Sequence, residues 1–411
     1  KEKLIQDLNF KLTNDQEAAI KIINEDLKSK SRMFRLLQGD VGSGKTIVAF
    51  MTSLIAIDNN YQACLMAPTE ILAIQHYKSI KKSSQNLNLN ISLLTGSTKK
   101  KEREEINIEL KNGNINLIVG THTLIEEKII FKNLGLAIID EQHRFGVAQR
   151  SRLWKKNLIP PHILIMSATP IPRTLSMTLY GDVDISSIKE LPPGRKKIKT
   201  YLRSDSKRLN VFKFISSQIK KGRQIYIVYP LIEESKKMDY KDLMDGFESI
   251  SRYFPLPKFR ISIVHGRMKS KDKDYEMERF VNGKTQIMVA TTVIEVGVNV
   301  PNASVILIES AERFGLSQLH QLRGRVGRGD HQSYCILMSS SQVSDDSKKR
   351  LNTMVEYSDG FKIADVDLKL RGPGDVSGTK QSGLIKFKII DILGDQELIK
   401  ITRELAKEIL K

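Results

Sequence analysis

Apolar and polar positions alternate along the chain in two rhythms. Short runs rich in Val, Ile, Leu and Met each lead into a polar or glycine-containing turn: "MFRLLQ" (33–38), "QACLMAP" (62–68), "INLIVGT" (115–121), "LGLAIID" (134–140) and "HILIMSA" (162–168). Stretches of helical periodicity separate them. Near-continuous apolar strands joined by helices predict βαβ units, that is, a parallel sheet covered on both faces. The rhythm holds to about residue 180, after which "GDVDISSIKELPPGRKK" (181–197) reads as a linker because Pro-Pro-Gly and a basic cluster interrupt it. It restarts in "KIKTYLR" (197–203), "QIYIVYP" (224–230), "RISIVHG" (260–266), "TQIMVAT" (285–291), "ASVILIE" (303–309) and "QSYCILM" (332–338), so a second α/β unit is expected over 197–340. From 345 onward two helical stretches, a glycine-rich "RGPGDVSGTKQSG" (371–383) and an amphipathic "QELIKITRELAKEIL" (396–410) predict an appended helical element in place of a third sheet.

The first strand runs into Gly39-Asp40-Val41-Gly42-Ser43-Gly44-Lys45-Thr46, a complete G-x-x-x-x-G-K-[ST] phosphate loop between a strand and a helix. Glycines let backbone N–H groups turn inward onto phosphate oxygens, and the following helix N-terminus adds a favourable dipole. Lys45 supplies a point charge for the β- and γ-phosphates, and the Thr46 hydroxyl a ligand for Mg²⁺. In "AIIDEQH" (137–143), Asp140 leaves the end of a buried strand where it can hold Mg²⁺ through water, while Glu141 is placed to act as general base. Nucleotide binding needs only the first acid; activating water needs the second. In "QLHQLRGRVGRG" (318–329), Arg325 and Arg328 stand three apart, one helical turn, and are candidate arginine fingers; Arg323 falls off that spacing and reads as a structural or helix-surface charge.

Composition narrows the partners. The 411 residues exceed one ordinary core and imply two or three units, with 40% hydrophobic and 27% charged residues, normal for globular protein. An excess of 66 Lys+Arg over 47 Asp+Glu, formally +19, favours a polyanion such as nucleic acid, although a general lysine bias would produce the same excess. The two cysteines, Cys64 and Cys335, both lie in apolar strand-like runs and suit a reducing, cytoplasmic setting. No run approaches the ~20 apolar residues of a membrane span. The chain opens at Lys1 without a signal segment or initiator methionine and is read as part of a longer protein.

Taken in order, "GDVGSGKT", "APTEILAIQH", "LLTGS", "GTHTLI", "DEQH", "SATPIPRTL", "VHGRM", "ATTVIEVGVNVPNA" and "QLHQLRGRVGR" resemble the motifs of superfamily 2 helicases over residues 10–340. More narrowly, "DGFKIADVDLKLRGPGDVSGTKQSG" (359–383) resembles the translocation motif that follows the motor in the RecG family of branched-DNA helicases. Transcription-repair coupling translocases share the general plan, but they typically carry Glu where Gln142 stands and a "GAGELLG"-like segment where this chain reads "GPGDVSGT" (372–379). The RecG resemblance implies two tandem RecA-like P-loop domains with parallel sheets (1–190 and 191–342), followed by a helical translocation element (343–411). The family's N-terminal wedge domain has no counterpart here. The implied activity is ATP- and Mg²⁺-dependent translocation on double-stranded DNA that remodels stalled forks and Holliday junctions in recombination and repair. A monomer is implied, with a single-stranded DNA-binding protein as a candidate partner and no membrane. An RNA-unwinding motor stays as an alternative, because contacts to phosphates do not report a 2′-hydroxyl.

The resemblance also assigns roles by position. Phe10 and Gln16 take those of adenine-stacking ring and adenine-reading amide, and Glu295 and Gly297 border the ATP site. Thr69, Thr95, Gly96, Thr121, His265, Gly266 and Thr292 take backbone-tracking roles on nucleic acid. Gln142, His143, Ser167 and Thr169 would couple the two sites, and Arg371 and Gln381 would couple the motor to the post-motor segment. Asn299 stands where the superfamily often has an acid, so a ribose contact there would lack charge.

Overall fold

The structure is a computed structural model and describes residues 2–8, 10–29, 31–141, 160–168, 183–192, 195–230, 236–291, 300–371 and 395–409. Among these the chain divides into two compact units, the first containing Lys1–Ala168 and Asp184–Arg195, the second Lys196–Glu295 and Asn299–Lys411.

The first unit is built on β1 (Phe34–Gly39), β2 (Gln62–Met66), β3 (Ile91–Leu94), β4 (Leu117–Gly120), β5 (Leu134–Asp140), β6 (His162–Ser167) and β7 (Asp184–Ile188). They form one seven-stranded sheet in the order β3-β4-β2-β5-β6-β1-β7, with every pairing parallel. Its helices are α1 (Glu2–Asp7), α2 (Asn14–Lys28), α3 (Lys45–Asp58), α4 (Glu70–Ser83) and α5 (Lys100–Asn112). The central strands β2, β4 and β5 are buried almost throughout, as expected of strands covered on both faces. α3 is nearly all apolar and is buried on most of its circumference, packing on α2 and the sheet.

All five strand runs read in the first half are present. The linker reading of 181–197 is corrected: Asp184–Ile188 is the edge strand β7, paired with β1 in the register Leu37↔Ser186 and Gly39↔Ile188. Its polar serines hid it. An edge strand covers less apolar surface than a central one, so "DISSI" lacks the unbroken hydrophobic run of its neighbours.

The second unit carries β8 (Lys199–Ser204), β9 (Gln224–Val228), β10 (Ile261–Val264), β11 (Ile287–Ala290), β12 (Ala303–Ile308) and β13 (Tyr334–Ser339). These form a parallel six-stranded sheet ordered β10-β11-β9-β12-β13-β8. Three helices, α6 (Arg208–Lys220), α7 (Lys236–Tyr253) and α8 (Ser270–Val281), alternate with its strands. Phe212, Tyr253, Phe254 and Phe259 form an aromatic cluster in its core, with neighbouring ring centroids 4.9 to 5.6 Å apart.

After β12 come α9 (Leu316–Arg323), α10 (Asp345–Glu356), α11 (Gly360–Arg371) and α12 (Gln396–Ile409). α9, α10 and α11 pack on one another, and α10 also packs on β8. Two arginines lock α9 to α10. Arg323 donates to the carbonyls of Met354 (2.8 Å), Tyr357 (2.8 Å) and Ser358 (3.1 Å), closing the end of α10. Arg350 donates back to Glu312 O (3.1 Å) and Phe314 O (3.2 Å) just before α9. Arg323 is 3% exposed, so the helix-surface alternative for it is corrected and the structural one stands. Each sheet also holds one fully buried cysteine, Cys64 in β2 and Cys335 in β13.

Candidate functional site

The phosphate loop is the turn between β1 and α3. Gly42 and Gly44 have φ of 79° and 85°, a region that favours glycine. A Cβ on Gly39 would stand 2.6 Å from Ser43 Oγ and 2.8 Å from Ile188 O, so the strand end has no room for a side chain. α3 begins on Gly44 with no side-chain cap, so no side chain competes with an incoming anion for the start of the helix. Lys45 is buried, and its Nζ donates to the carbonyls of Gly39 (2.7 Å) and Asp40 (3.0 Å). Ser43 Oγ is buried with no hydrogen-bond partner among the described residues. Uncapped amides, a buried ammonium and an unmatched hydroxyl in one loop fit a phosphate chain.

Gln16 closes the loop from the side. It is the third residue of α2 and completes a capping box: Thr13 N donates to Gln16 Oε1 at 3.0 Å, and Gln16 N donates to Thr13 Oγ1 at 3.3 Å. Its Nε2 donates to Ser43 O at 2.8 Å. With 2% of its surface exposed and both ends of the amide engaged by the chain, Gln16 would have to exchange one of these bonds to read a base. Phe10 is half exposed, as a stacking ring would need to be.

The acids reach the same sheet edge. Parallel strands end on one side, and in the order β5-β6-β1 the carboxyl ends lie consecutively, with Asp140 in register with Met166 and Gln38 with Ser167. Asp140 is buried, and its Oδ2 lies 2.9 Å from Nε2 of His76, which α4 contributes. Glu141 takes φ 53°, a left-handed conformation that costs a side-chain-bearing residue roughly 1–3 kcal/mol. Two bonds to the end of β6 hold it there: its N–H donates to Met166 O at 2.9 Å, and Ala168 N donates to its Oε1 at 3.2 Å. Ser167, between those two partners, is buried.

Two further groups border this loop. Arg195, from the segment first read as linker, donates through Nη1 to Val41 O, and a side chain on Gly42 would collide with its guanidinium. Burial lowers the Arg195 pKa, partly offset by Asp40. Asp15 accepts from the N–H groups of Lys189 (2.7 Å) and Glu190 (2.9 Å), and the Glu190 carboxylate accepts from Asp15 N and Asn14 Nδ2 (both 3.4 Å), tying α2 to the end of β7.

The loops expected to track nucleic acid share one design. In the first unit β3 is followed by Thr95, Gly96 and Lys99, then α5; in the second β10 is followed by His265, Gly266 and Lys269, then α8. Lys99 and Lys269 are the N-cap residues of these helices, and neither makes a side-chain cap bond. Lysine is a poor N-cap, so these first turns lack a side-chain acceptor and carry an added positive charge, an arrangement suited to phosphate. Gly96 and Gly266 are exposed, with open space where a Cβ would be. Thr95 and Thr121 are both buried, and Thr95 Oγ1 lies 3.1 Å from Ser97 Oγ while Thr121 Oγ1 lies 3.4 Å from Thr123 Oγ1. Thr69 N-caps α4, accepting from Leu72 N at 3.4 Å. His265 has its pKa lowered by burial first, then by Lys273 and Arg267, which favours the neutral imidazole beside these two cations.

The arginine pair needs a correction of geometry. α9 ends at Arg323, and Gly327 takes φ 76°, so Arg325 and Arg328 lie on a turn and not one helical turn apart. Both still come close enough to Tyr226 to act on its ionisation, although burial dominates and pushes that phenol up to about 12. Arg325 is buried, and Arg328 Nε donates to Gly324 O at 3.2 Å.

Gln142, His143, Thr169, Thr292, Glu295, Gly297, Asn299 and Gln381 lie outside the described residues, and Arg371 is described only as the last residue of α11. Sequence reading missed Arg195, His76, Lys99 and Lys269. The lysines carried a signal, since a Gly turn followed by Lys before a helix occurs twice at the same spacing.

Three family models match consecutive parts of the chain: DEAD/DEAH box helicase at 13–178, helicase conserved C-terminal domain at 206–330, and RecG domain 3, C-terminal, at 357–411. The ATP-dependent DNA helicase RecG of Synechocystis sp. is 50% identical over 409 residues, covering all of this chain and 49% of the relative. That of Bacillus subtilis is 47% identical over 408 residues, covering 99% of this chain and 59% of the relative. The chain therefore spans about half the length of these curated relatives. A structure of RecG bound to a three-way DNA junction superposes with a TM-score of 0.82 at 44% identity, covering 97% of this chain and 52% of that one. Yeast Dbp5 bound to RNA and ADP BeF3 shares the fold at 16% identity and a TM-score of 0.60. Identity near one half from end to end, a fold shared with a solved RecG and a terminal segment matched by a RecG-specific model place the chain in the RecG family.

Proposed function

We propose that this chain is the motor portion of an ATP-dependent DNA helicase that moves along double-stranded DNA and remodels branched DNA, stalled forks and Holliday junctions, in recombination and repair. The observation that carries the proposal is Glu141, held in a strained conformation at the sheet edge that bears the phosphate loop. A nucleotide-gated clamp would need only Asp140; a second acid at this place suits turnover.

In this reading the loop amides and Lys45 bind the triphosphate, with Phe10 and Gln16 toward the base. Thr46 and Asp140 would hold Mg²⁺, which when bound neutralises charge on the phosphate oxygens. Glu141 takes the proton of the attacking water, and Arg325 and Arg328 supply cations that stabilise transition-state charge. Glu295 and Gly297 border the nucleotide. The exposed turns at Gly96 and Gly266, with Thr69, His265 and Thr292, track the DNA backbone. Gln142, His143, Ser167, Thr169, Arg371 and Gln381 couple hydrolysis to movement. Work on branched DNA is drawn from the RecG bound to a three-way junction, and a monomer working beside a single-stranded DNA-binding protein in the cytoplasm completes the proposal.

Steady-state ATPase with duplex, forked and four-way DNA, and with RNA of matched sequence, tests it. Forked or four-way DNA should stimulate most. Preference for RNA would replace the reading with an RNA motor, and binding of ATP and DNA without stimulated hydrolysis would leave only a clamp.

A further inference from the structure

α4 buries Leu72, Ala73, His76 and Ile80, and His76 is the one polar residue on that buried face. An imidazole there displaces an apolar side chain that would pack without needing a partner. Its partner is Asp140, 64 residues away in sequence, with Nε2 to Oδ2 at 2.9 Å and both residues 8% exposed. An ionised carboxylate can only accept, so Nε2 carries the hydrogen and donates. Fixing one carboxylate oxygen sets the direction of the other. Groups that hold a metal-binding carboxylate in this way typically change metal affinity or activity 10- to 100-fold when removed.

The same helix begins at the other candidate site. Thr69 is its N-cap, seven residues before His76, which on an α-helix is about two turns along the same face, roughly 10 Å. α4 packs on β3 and β4, so a displacement at its first turn is carried along a braced rod. We infer that His76 is the positioning residue for Asp140, and that α4 carries engagement of the nucleic-acid backbone at Thr69 to the metal-holding carboxylate. This rests on the proposed function, in that Asp140 must hold Mg²⁺ and Thr69 must meet DNA.

The experiment compares His76→Leu, His76→Gln and His76→Asn with wild type. Gln can place an amide donor where Nε2 stands, whereas Asn is too short to reach. Three quantities are read: Mg²⁺ concentration for half-maximal ATPase, binding of a fluorescent ADP with and without Mg²⁺, and the ratio of DNA-stimulated to basal ATPase. His76→Leu should raise the Mg²⁺ requirement on the order of 10-fold and weaken ADP binding only when Mg²⁺ is present. DNA stimulation should fall toward unity. His76→Gln should restore both, and His76→Asn should not. Should His76→Leu not fold, the Gln and Asn variants carry the same contrast.

Wild-type Mg²⁺ dependence in both Leu and Asn variants would reduce His76 to a packed core residue and overturn the inference. A shifted Mg²⁺ requirement with intact DNA stimulation would overturn the α4 linkage. If wild type itself shows no stimulation by any DNA, the proposed function fails separately, while Mg²⁺-dependent ADP binding still tests the positioning role.

Discussion

Ala168 donates its backbone N–H to Glu141 Oε1 at 3.2 Å while Glu141 is held at φ 53°. The acid is thus oriented by the end of β6, not only by its own strand. Glu141→Gln keeps an acceptor oxygen for Ala168 but cannot take a proton. It should bind nucleotide like wild type and lose hydrolysis by several orders of magnitude in single-turnover assays. Loss of nucleotide binding in this variant would contradict the role of general base.

Lys45 and Arg195 both touch the phosphate loop and should differ in effect. Lys45→Ala removes the buried ammonium and should weaken nucleotide binding by about 2 kcal/mol, roughly 30-fold, in equilibrium titrations. Arg195→Ala removes the bond to Val41 O and should raise KM for ATP by a smaller factor, about 5-fold. Equal losses would mean that Arg195 meets the nucleotide itself.

The first unit should weaken in mild acid through His162. Met33 N donates to its Nδ1 at 3.0 Å, and burial, then Arg32, lowers its pKa below the usual 6.5, with Asp26 pulling the other way. The unfolded chain therefore binds a proton that the folded one resists. This contribution to stability is complete above 6.5 and falls as pH drops below it toward the folded value. His162→Asn, which can still offer an acceptor to Met33, should flatten that decline in urea unfolding curves.

Arg323→Met should leave the carbonyls of Met354, Tyr357 and Ser358 without their donor inside the packing of α9, α10 and α11. About 1–3 kcal/mol of local stability should be lost. Hydrogen exchange should rise across α10 and α11, with nucleotide affinity unchanged. Loss of nucleotide affinity instead would assign Arg323 to the ATP site.

Lys99→Ala and Lys269→Ala should each weaken DNA binding about equally for all sequences and reduce the salt dependence by about one unit of slope. A sequence-selective effect would rule out a phosphate contact.

What the sequence made legible was local. The phosphate loop and Asp140 were readable because strand, turn and helix follow within one short segment, and spacing alone constrains them. The partnership of His76 with Asp140 was not readable, since only the strand order β2-β5 brings α4 to the end of β5. β7 escaped because an edge strand tolerates serine where a central one does not. The arginine spacing was misread although the signal was present: Gly324 and Gly327 interrupt the helical pattern, and the second takes a positive φ. The resemblance gave Gln16 a role at the base, but its double use as helix cap and loop brace was not readable, because it depends on Ser43 O coming within 2.8 Å.

Cys64 and Cys335, one in each sheet and both wholly shielded, make the two halves separately addressable. Burial pushes the Cys335 thiol up to about 12, so it is inert in the native state, and a modifying reagent reaches either sulfur only when its own sheet breathes open. Mass-resolved alkylation of the unaltered protein would thus time the opening of each half independently, and nucleotide should slow the clock at Cys64.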